Sequence, residues 1–337
     1  MKVYDISVIR GDGIGPTIID AAVFILKETG KKFNFSLNYH YIDAGANTFL
    51  RCEKNITEQS LKEISQTEAL LKGPTGLPWI RRKDGTEAGL LGGILRPRFD
   101  LYANIRPIRT IDGNIDYIIV RENTEGLYLA RGKGVRTRDA VADILLLTRM
   151  GCERISRFAF ELAKRENRKK VTLIVKSNVL VSMAFFEKIF FNVAKKYKDI
   201  EAERIYTDAA CYKMVAEPEH FQVIVTENFI GDMISDLGGG TIGGMGLCPS
   251  VNIGEKFAYF EAAHGSAPDI DKNKANPVAI ILSSAMMLNF IGEKEAGCVL
   301  KEKIYTFLKT HTSIFTKQGR LKNYTTQKFA EKLAETI

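Results

Sequence analysis

At 337 residues, 45% of them hydrophobic, the chain is long enough for one large or two ordinary domains and has the apolar content to fill their cores. No apolar run approaches the ~20 residues that span a bilayer, and an acidic residue interrupts the short apolar opening MKVYDISVIRGDG, unlike a signal peptide, so neither is expected and a cytoplasmic protein is. The net charge of +8 comes from small basic clusters such as Arg81–Lys83 and Arg168–Lys170 without interleaved aromatics, which reads as solvated faces rather than a nucleic-acid surface.

In chain order, VIRGDGIGP comes first, an apolar strand breaking into three glycines and a proline. A dinucleotide fingerprint would need glycine where Pro16 stands, so a Rossmann loop is disfavoured. Pro16 instead reads as the first helical residue of IIDAAVFIL, with Gly30 as the expected stop. Strand-like DYIIV, VTLIV and FQVIV then alternate with helical GCERISRFAFELAKRE and SMAFFEKIFFNVAKKY, the pattern of an α/β protein. Asn276-Pro277 reads as N-cap and first residue of a helix through VAIILSSAMMLNFIG, whose Met and Leu stripe belongs in a core. Five separated cysteines without a CxxC pair indicate neither a disulfide framework nor a zinc site.

Two stretches carry chemistry. FQVIVTENFIGDMISDLGGG places Asp232 and Asp236 four residues apart, hence on one helix face, where they repel unless something compensates them. With the four histidines scattered, such hard oxygen ligands suit Mg²⁺ or Mn²⁺ rather than zinc, although an exposed acidic face is the simpler reading of the pair alone. In LRPRFDLYANIRP and IIVRENTEGLY, Arg96, Arg106 and Arg121 supply guanidinium forks that would bind a di- or tricarboxylic acid if they converge; surface arginines are the alternative.

GDGIGP, KGPTGLP, DLYANIRP, VRENTEGLY, GDMISD and HGSAPDI…ANP occur in this order across nearly the whole chain. Together they resemble the isocitrate/isopropylmalate dehydrogenases, metal- and NAD(P)-dependent oxidative β-decarboxylases. The resemblance implies an isopropylmalate dehydrogenase-like α/β fold, not a Rossmann fold, with two α/β domains and the active site in the cleft between them. Residues 1–101 and 244–337 would form the cofactor domain, and 102–243 the central domain with the dimer interface and the metal and substrate residues.

By the same resemblance, Ile14 and Thr75 would lie near the nicotinamide. The loop from His264 through Gly265, Ser266, Ala267, Asp269 and Ile270 to Asn276 would hold the adenosine half. Asp269 would accept both ribose hydroxyls and repel a 2′-phosphate, favouring NAD over NADP. Asp232 and Asp236 would bind Mg²⁺ or Mn²⁺ together with Asp208 of a second subunit. Lys176, also from that subunit, would take the hydroxyl proton, and Tyr128 would protonate the product carbon. Arg96, Arg106 and Arg121 would hold the carboxylates. The expected partners are a small hydroxy di- or tricarboxylate and a second copy of the chain, a homodimer that could pair further into a tetramer.

Between Glu87 and Arg96 the stretch EAGLLGGILR is two residues longer than the isopropylmalate pattern, and the cofactor loop between Asp269 and Asn276 is one residue shorter than usual. Leu90 and Leu91 would suit an isopropyl group, which favours 3-isopropylmalate. RENTEGLY is closer to the isocitrate, homoisocitrate and tartrate or D-malate branches, which stand as alternatives. A non-catalytic regulatory subunit is the alternative of another class; such subunits lose catalytic residues, whereas all of them are present here.

Overall fold

The computed structural model describes residues 1–129, 134–316 and 319–337. They form two compact units: residues 1–92, 243–251 and 256–337, and residues 93–242 with 252–255. Residues 93–101 and 243 therefore fall in the opposite units from those expected, and the segment 252–255 groups with the central unit.

The first unit opens with β1 (Lys2–Ile9), α1 (Gly15–Phe33), β2 (Phe35–Tyr41), α2 (Ala46–Cys52), α3 (Glu58–Ile64) and β3 (Ala69–Lys72). The central stretch follows with α4 (Gly92–Arg98), β4 (Ala103–Arg109), β5 (Asp116–Glu122), β6 (Val135–Arg136), β7 (Val141–Ala142), α5 (Arg149–Arg165) and β8 (Lys170–Val175). It continues through α6 (Val181–Ala194), β9 (Glu201–Tyr206), α7 (Thr207–Ala216), β10 (Val223–Thr226) and α8 (Asn228–Thr241). The chain closes with β11 (Pro249–Ile253), β12 (Ala258–Ala262), α9 (Val278–Phe290), α10 (Lys294–Thr310) and α11 (Thr326–Ala334).

In the first unit the strand order is β2-β1-β3-β12-β11, and β1 pairs in parallel with β2 and β3, as β12 does with β3. In the second the order is β4-β5-β10-β8-β9, parallel except for the antiparallel β4–β5 pair. Parallel strands covered on both faces read as continuous apolar runs, and β10 and most of β8 are buried accordingly.

Gly30 is not the stop of the first helix. α1 runs on to Phe33 and ends at Asn34, whose φ of 59° is left-handed and whose N–H bonds the Gly30 carbonyl. Gly30 serves close packing instead, because a Cβ there would lie 2.7 Å from the Phe35 carbonyl oxygen. The α9 cap is likewise shifted by one residue: the helix starts at Val278, and the Asn276 side chain accepts that residue's N–H at 3.0 Å.

Candidate active site

In the second unit the candidate residues collect at the carboxyl ends of the parallel strands, where open α/β sheets place ligands. Arg121 lies near the end of β5, Lys176 follows β8, Asp208 sits in the first turn of α7 after β9, and Asp232 and Asp236 lie on α8 after β10. That arrangement follows from strand–helix alternation.

The three arginines do converge. Arg121 is 2% exposed and donates to Asp232 Oδ1, while its Nε and Nη2 donate to Asn228 Oδ1 at 3.1 and 2.7 Å. Burial, and next the charge of Arg96, lower its pKa to about 9, which leaves it charged at neutral pH. Arg106 donates to Asn104 at 2.8 Å, to Ser235 at 2.6 Å and to Asp236 at 3.4 Å, and its Nη2 lies 3.8 Å from Asp232. Tyr128 donates its hydroxyl proton to Asp232 Oδ2 at 3.1 Å, and the Arg121 guanidinium lies 5.9 Å from its ring.

The repulsion expected between the two aspartates is thus met by arginines. Burial pushes the Asp232 carboxyl up, but Arg121, Arg106, Tyr128 and Arg96 outweigh it and the net shift is downward. Asp236 goes the other way, raised by partial loss of hydration and by the Asp232 charge against the pull of Arg106. A cation beside it would reverse that shift.

Asp208 is not brought to this pair; it accepts from Lys176 Nζ at 2.7 Å, a bond that holds its carboxyl below the usual range. Among the described residues no group of three His, Cys, Asp or Glu side chains could hold a metal. Two carboxylates without imidazole or thiolate suit a hard divalent cation, and within one chain they leave its shell incomplete.

In the first unit the loops after β1, β3 and β12 lie side by side. Gly11 and Gly13 have φ of 77° and 60°, and a Cβ on them would fall 2.1 Å from the Pro74 carbonyl oxygen and 2.0 Å from that of Ser266. The glycines of GDGIGP thus admit neighbouring backbone. The Ile14 N–H bonds the Ser266 carbonyl at 2.9 Å, and the Ser266 hydroxyl donates to the Gly76 carbonyl at 2.5 Å, beside Thr75.

In the adenosine loop the Asn276 carboxamide donates to the Gly319 carbonyl at 3.0 Å and accepts from Val278, bonds that fix its orientation. Ser266 is equally a tie between loops. Asp269 is exposed, Ala267 holds a left-handed φ of 39°, and a Cβ on Gly265 would meet only open space. Burial lowers the His264 pKa. Leu90 is half-buried against Gly76, whereas Leu91 is 1% exposed and offers no free surface.

Several residues of the site were not singled out from the sequence. Asn228 holds Arg121 and anchors to the Glu125 carbonyl at 2.8 Å. Gly231 lets the Arg121 stem pass, since a Cβ there would lie 2.6 Å from its Cγ. Asp12, 2% exposed, accepts the N–H groups of Ala46 and Gly76, each at 2.8 Å. Gly231 and Asp12 lie within the motifs GDMISD and GDGIGP and Asn228 just before the former, but only the fold shows what each meets.

Residues 5–333 match the family described as isocitrate/isopropylmalate dehydrogenase. The chain is 39% identical to the 3-isopropylmalate/3-methylmalate dehydrogenase of Methanocaldococcus jannaschii over 99% of both chains. It is 38% identical to the isocitrate/homoisocitrate dehydrogenase of Thermus thermophilus, covering 99% of this chain and 98% of that one. Among solved structures, the isocitrate dehydrogenase of Methylococcus capsulatus superposes with a TM-score of 0.89 at 36% identity and 99% coverage of both chains.

Proposed function

Because the chain belongs to the isocitrate/isopropylmalate dehydrogenase family and is a β-decarboxylating dehydrogenase, we propose that it oxidises 3-isopropylmalate with NAD, as a homodimer with shared active sites. The observation that carries the reading is the convergence of Arg96, Arg106 and Arg121 on Asp232, with Tyr128 bonded to the same carboxylate.

Asp232 and Asp236 would hold Mg²⁺ or Mn²⁺, which would supply Lewis acidity to the substrate's hydroxyl, and NAD would supply the hydride acceptor. The three guanidiniums bind and orient the two carboxylates. Lys176 of the second copy takes the hydroxyl proton as hydride leaves the carbinol carbon. The β-carboxylate departs as CO₂, and the resulting enolate takes its proton at carbon from Tyr128. Its position over Arg121 and on Asp232 supports that role. Asp208, paired with Lys176 and separate from Asp232, supports a third ligand delivered by a second copy.

Most exposed large apolar side chains belong to the second unit, among them Val141, Ile144, Met150, Val181, Tyr212 and Val215, a distribution that suits burial against another copy. Exposed Asp269 followed by Ile270 favours NAD. No helix among the described residues is long and apolar enough to cross a membrane, which is compatible with a cytoplasmic enzyme.

The relative named for isocitrate and homoisocitrate favours a second reading, in which one of those tricarboxylates is the substrate. Initial rates with Mn²⁺ and NAD on 3-isopropylmalate, isocitrate, homoisocitrate, tartrate and D-malate separate the readings. We expect 3-isopropylmalate to have the highest kcat/KM; a higher value for another acid replaces it, and inactivity on all five returns the regulatory-subunit alternative.

A further inference from the structure

Lys176 stands at the carboxyl end of β8, where β8, α6 and β9 meet. Its backbone N–H is 3.1 Å from the Met183 sulfur, and the next residue, Ser177, donates its hydroxyl to Glu187 of α6. The other Glu187 oxygen accepts from Arg204 Nε at 3.3 Å. The Arg204 guanidinium lies over the Tyr206 ring at 4.1 Å from its centroid, and Lys176 Nζ is 5.9 Å from the centroid of that same ring. β8 and β9 pair in parallel with Leu173 opposite Arg204 and Val175 opposite Tyr206, so Arg204 and Tyr206, two residues apart, share one face of β9.

This chain of contacts answers a mechanical problem. Lysine has a flexible stem, and the Lys176–Asp208 pair is open to water, with side chains 32% and 72% exposed. An exposed ion pair by itself holds such a side chain poorly. An aromatic face attracts the ammonium from a second direction, and the ring is braced by Arg204, itself held by Glu187.

We infer that Tyr206 is a positioning residue, braced by Arg204 and Glu187, that holds the Lys176 side-chain nitrogen beside Asp208, so that base and third carboxylate are presented to the second copy as a preset pair. The inference rests on the reading of Lys176 as the base. It concerns where the nitrogen sits.

The test uses the full-length protein, Mn²⁺, NAD and 3-isopropylmalate, or the faster acid of the five above. Tyr206→Leu removes the ring, and kcat should fall about tenfold with both KM values unchanged. Tyr206→Phe keeps the face and should retain most of kcat. Arg204→Met releases the brace and should give a smaller loss confined to kcat; it carries the test if the Leu variant does not fold. Refolding Tyr206→Leu with Arg121→Ala should restore about a quarter of wild-type activity, as should Lys176→Met with Arg121→Ala, because half the dimers are mixed and each has one intact site.

If Tyr206→Leu keeps wild-type kcat while Lys176→Met is inactive, the positioning role is wrong and the base reading stands. If Tyr206→Leu is impaired but Arg121→Ala does not complement it, while complementing Lys176→Met, Tyr206 acts on its own chain's arginines and the inference fails. An active Lys176→Met removes the base reading itself.

Discussion

The Arg121 guanidinium stays charged while almost wholly buried because Asp232 and Asn228 occupy its donors, so changing either partner leaves a desolvated cation only partly compensated. Asp232→Asn should abolish turnover and, in metal-free protein at pH 7, cost about 2 kcal/mol, less than the ~3–5 of a fully buried pair because Asp232 is 32% exposed and Asn228 remains. The pH sign follows from the lowered folded pKa of Asp232. Its stabilisation is present above its unfolded value near ~3.9 and is lost as pH falls through the lower folded one. The Tm gap between wild type and Asp232→Asn should therefore close on acidification below ~4; a gap that widens there would reverse the assignment. Cys152 illustrates burial acting on a thiol: desolvation, then the charges of Glu125 and Glu122, push its pKa up to about 12. Iodoacetamide at pH 8 should alkylate exposed Cys52 and Cys298 and leave Cys152 intact by peptide mass mapping.

At the scale of elements, α8 joins two demands that conflict. Ala is a better helix former than Gly by about 1 kcal/mol, yet a Cβ on Gly231 would sit 2.6 Å from the Arg121 Cγ. Gly231→Ala should raise the KM of the acid at least about tenfold and leave that of NAD unchanged; an unaltered KM would mean the arginine stem repacks freely. The end of α1 is set by backbone alone. Asn34 tolerates its φ of 59°, and a β-branched residue does not, so Asn34→Val should destabilise by about 1–2 kcal/mol with kcat unchanged, measured by urea unfolding and steady-state rates. Expecting the helix to stop at Gly30 treats glycine as a terminator, whereas the close approach of Phe35 explains it inside the helix.

For the whole molecule, the central prediction is association. A homodimer of 37.7 kDa chains should elute with a light-scattering mass of about 75 kDa, and activity should fall with the dimer on dilution. A fully active monomer would refute the shared site. Metal removal should be reversible: extensive chelation should abolish turnover, and Mn²⁺ should restore it without refolding. Activity that survives chelation would mean that Asp232 and Asp236 serve the arginines alone.

The sequence by itself determined the α/β alternation, because parallel strands buried on both faces must be continuous apolar runs such as VTLIV and FQVIV. It also nominated candidates for the site, since motifs in register single out Arg121, Tyr128 and Asp232. What each side chain touches was decided only by tertiary structure. That Arg96 and Arg106 depress Arg121, that Asn276 bonds Gly319 and Val278, and that Leu91 is buried while Leu90 is not depend on residues far away in the chain. Spacing along a chain sets which face of a helix or strand a residue occupies; whether a distant charge or carbonyl meets it there depends on how strands pair and loops close, which no local pattern encodes.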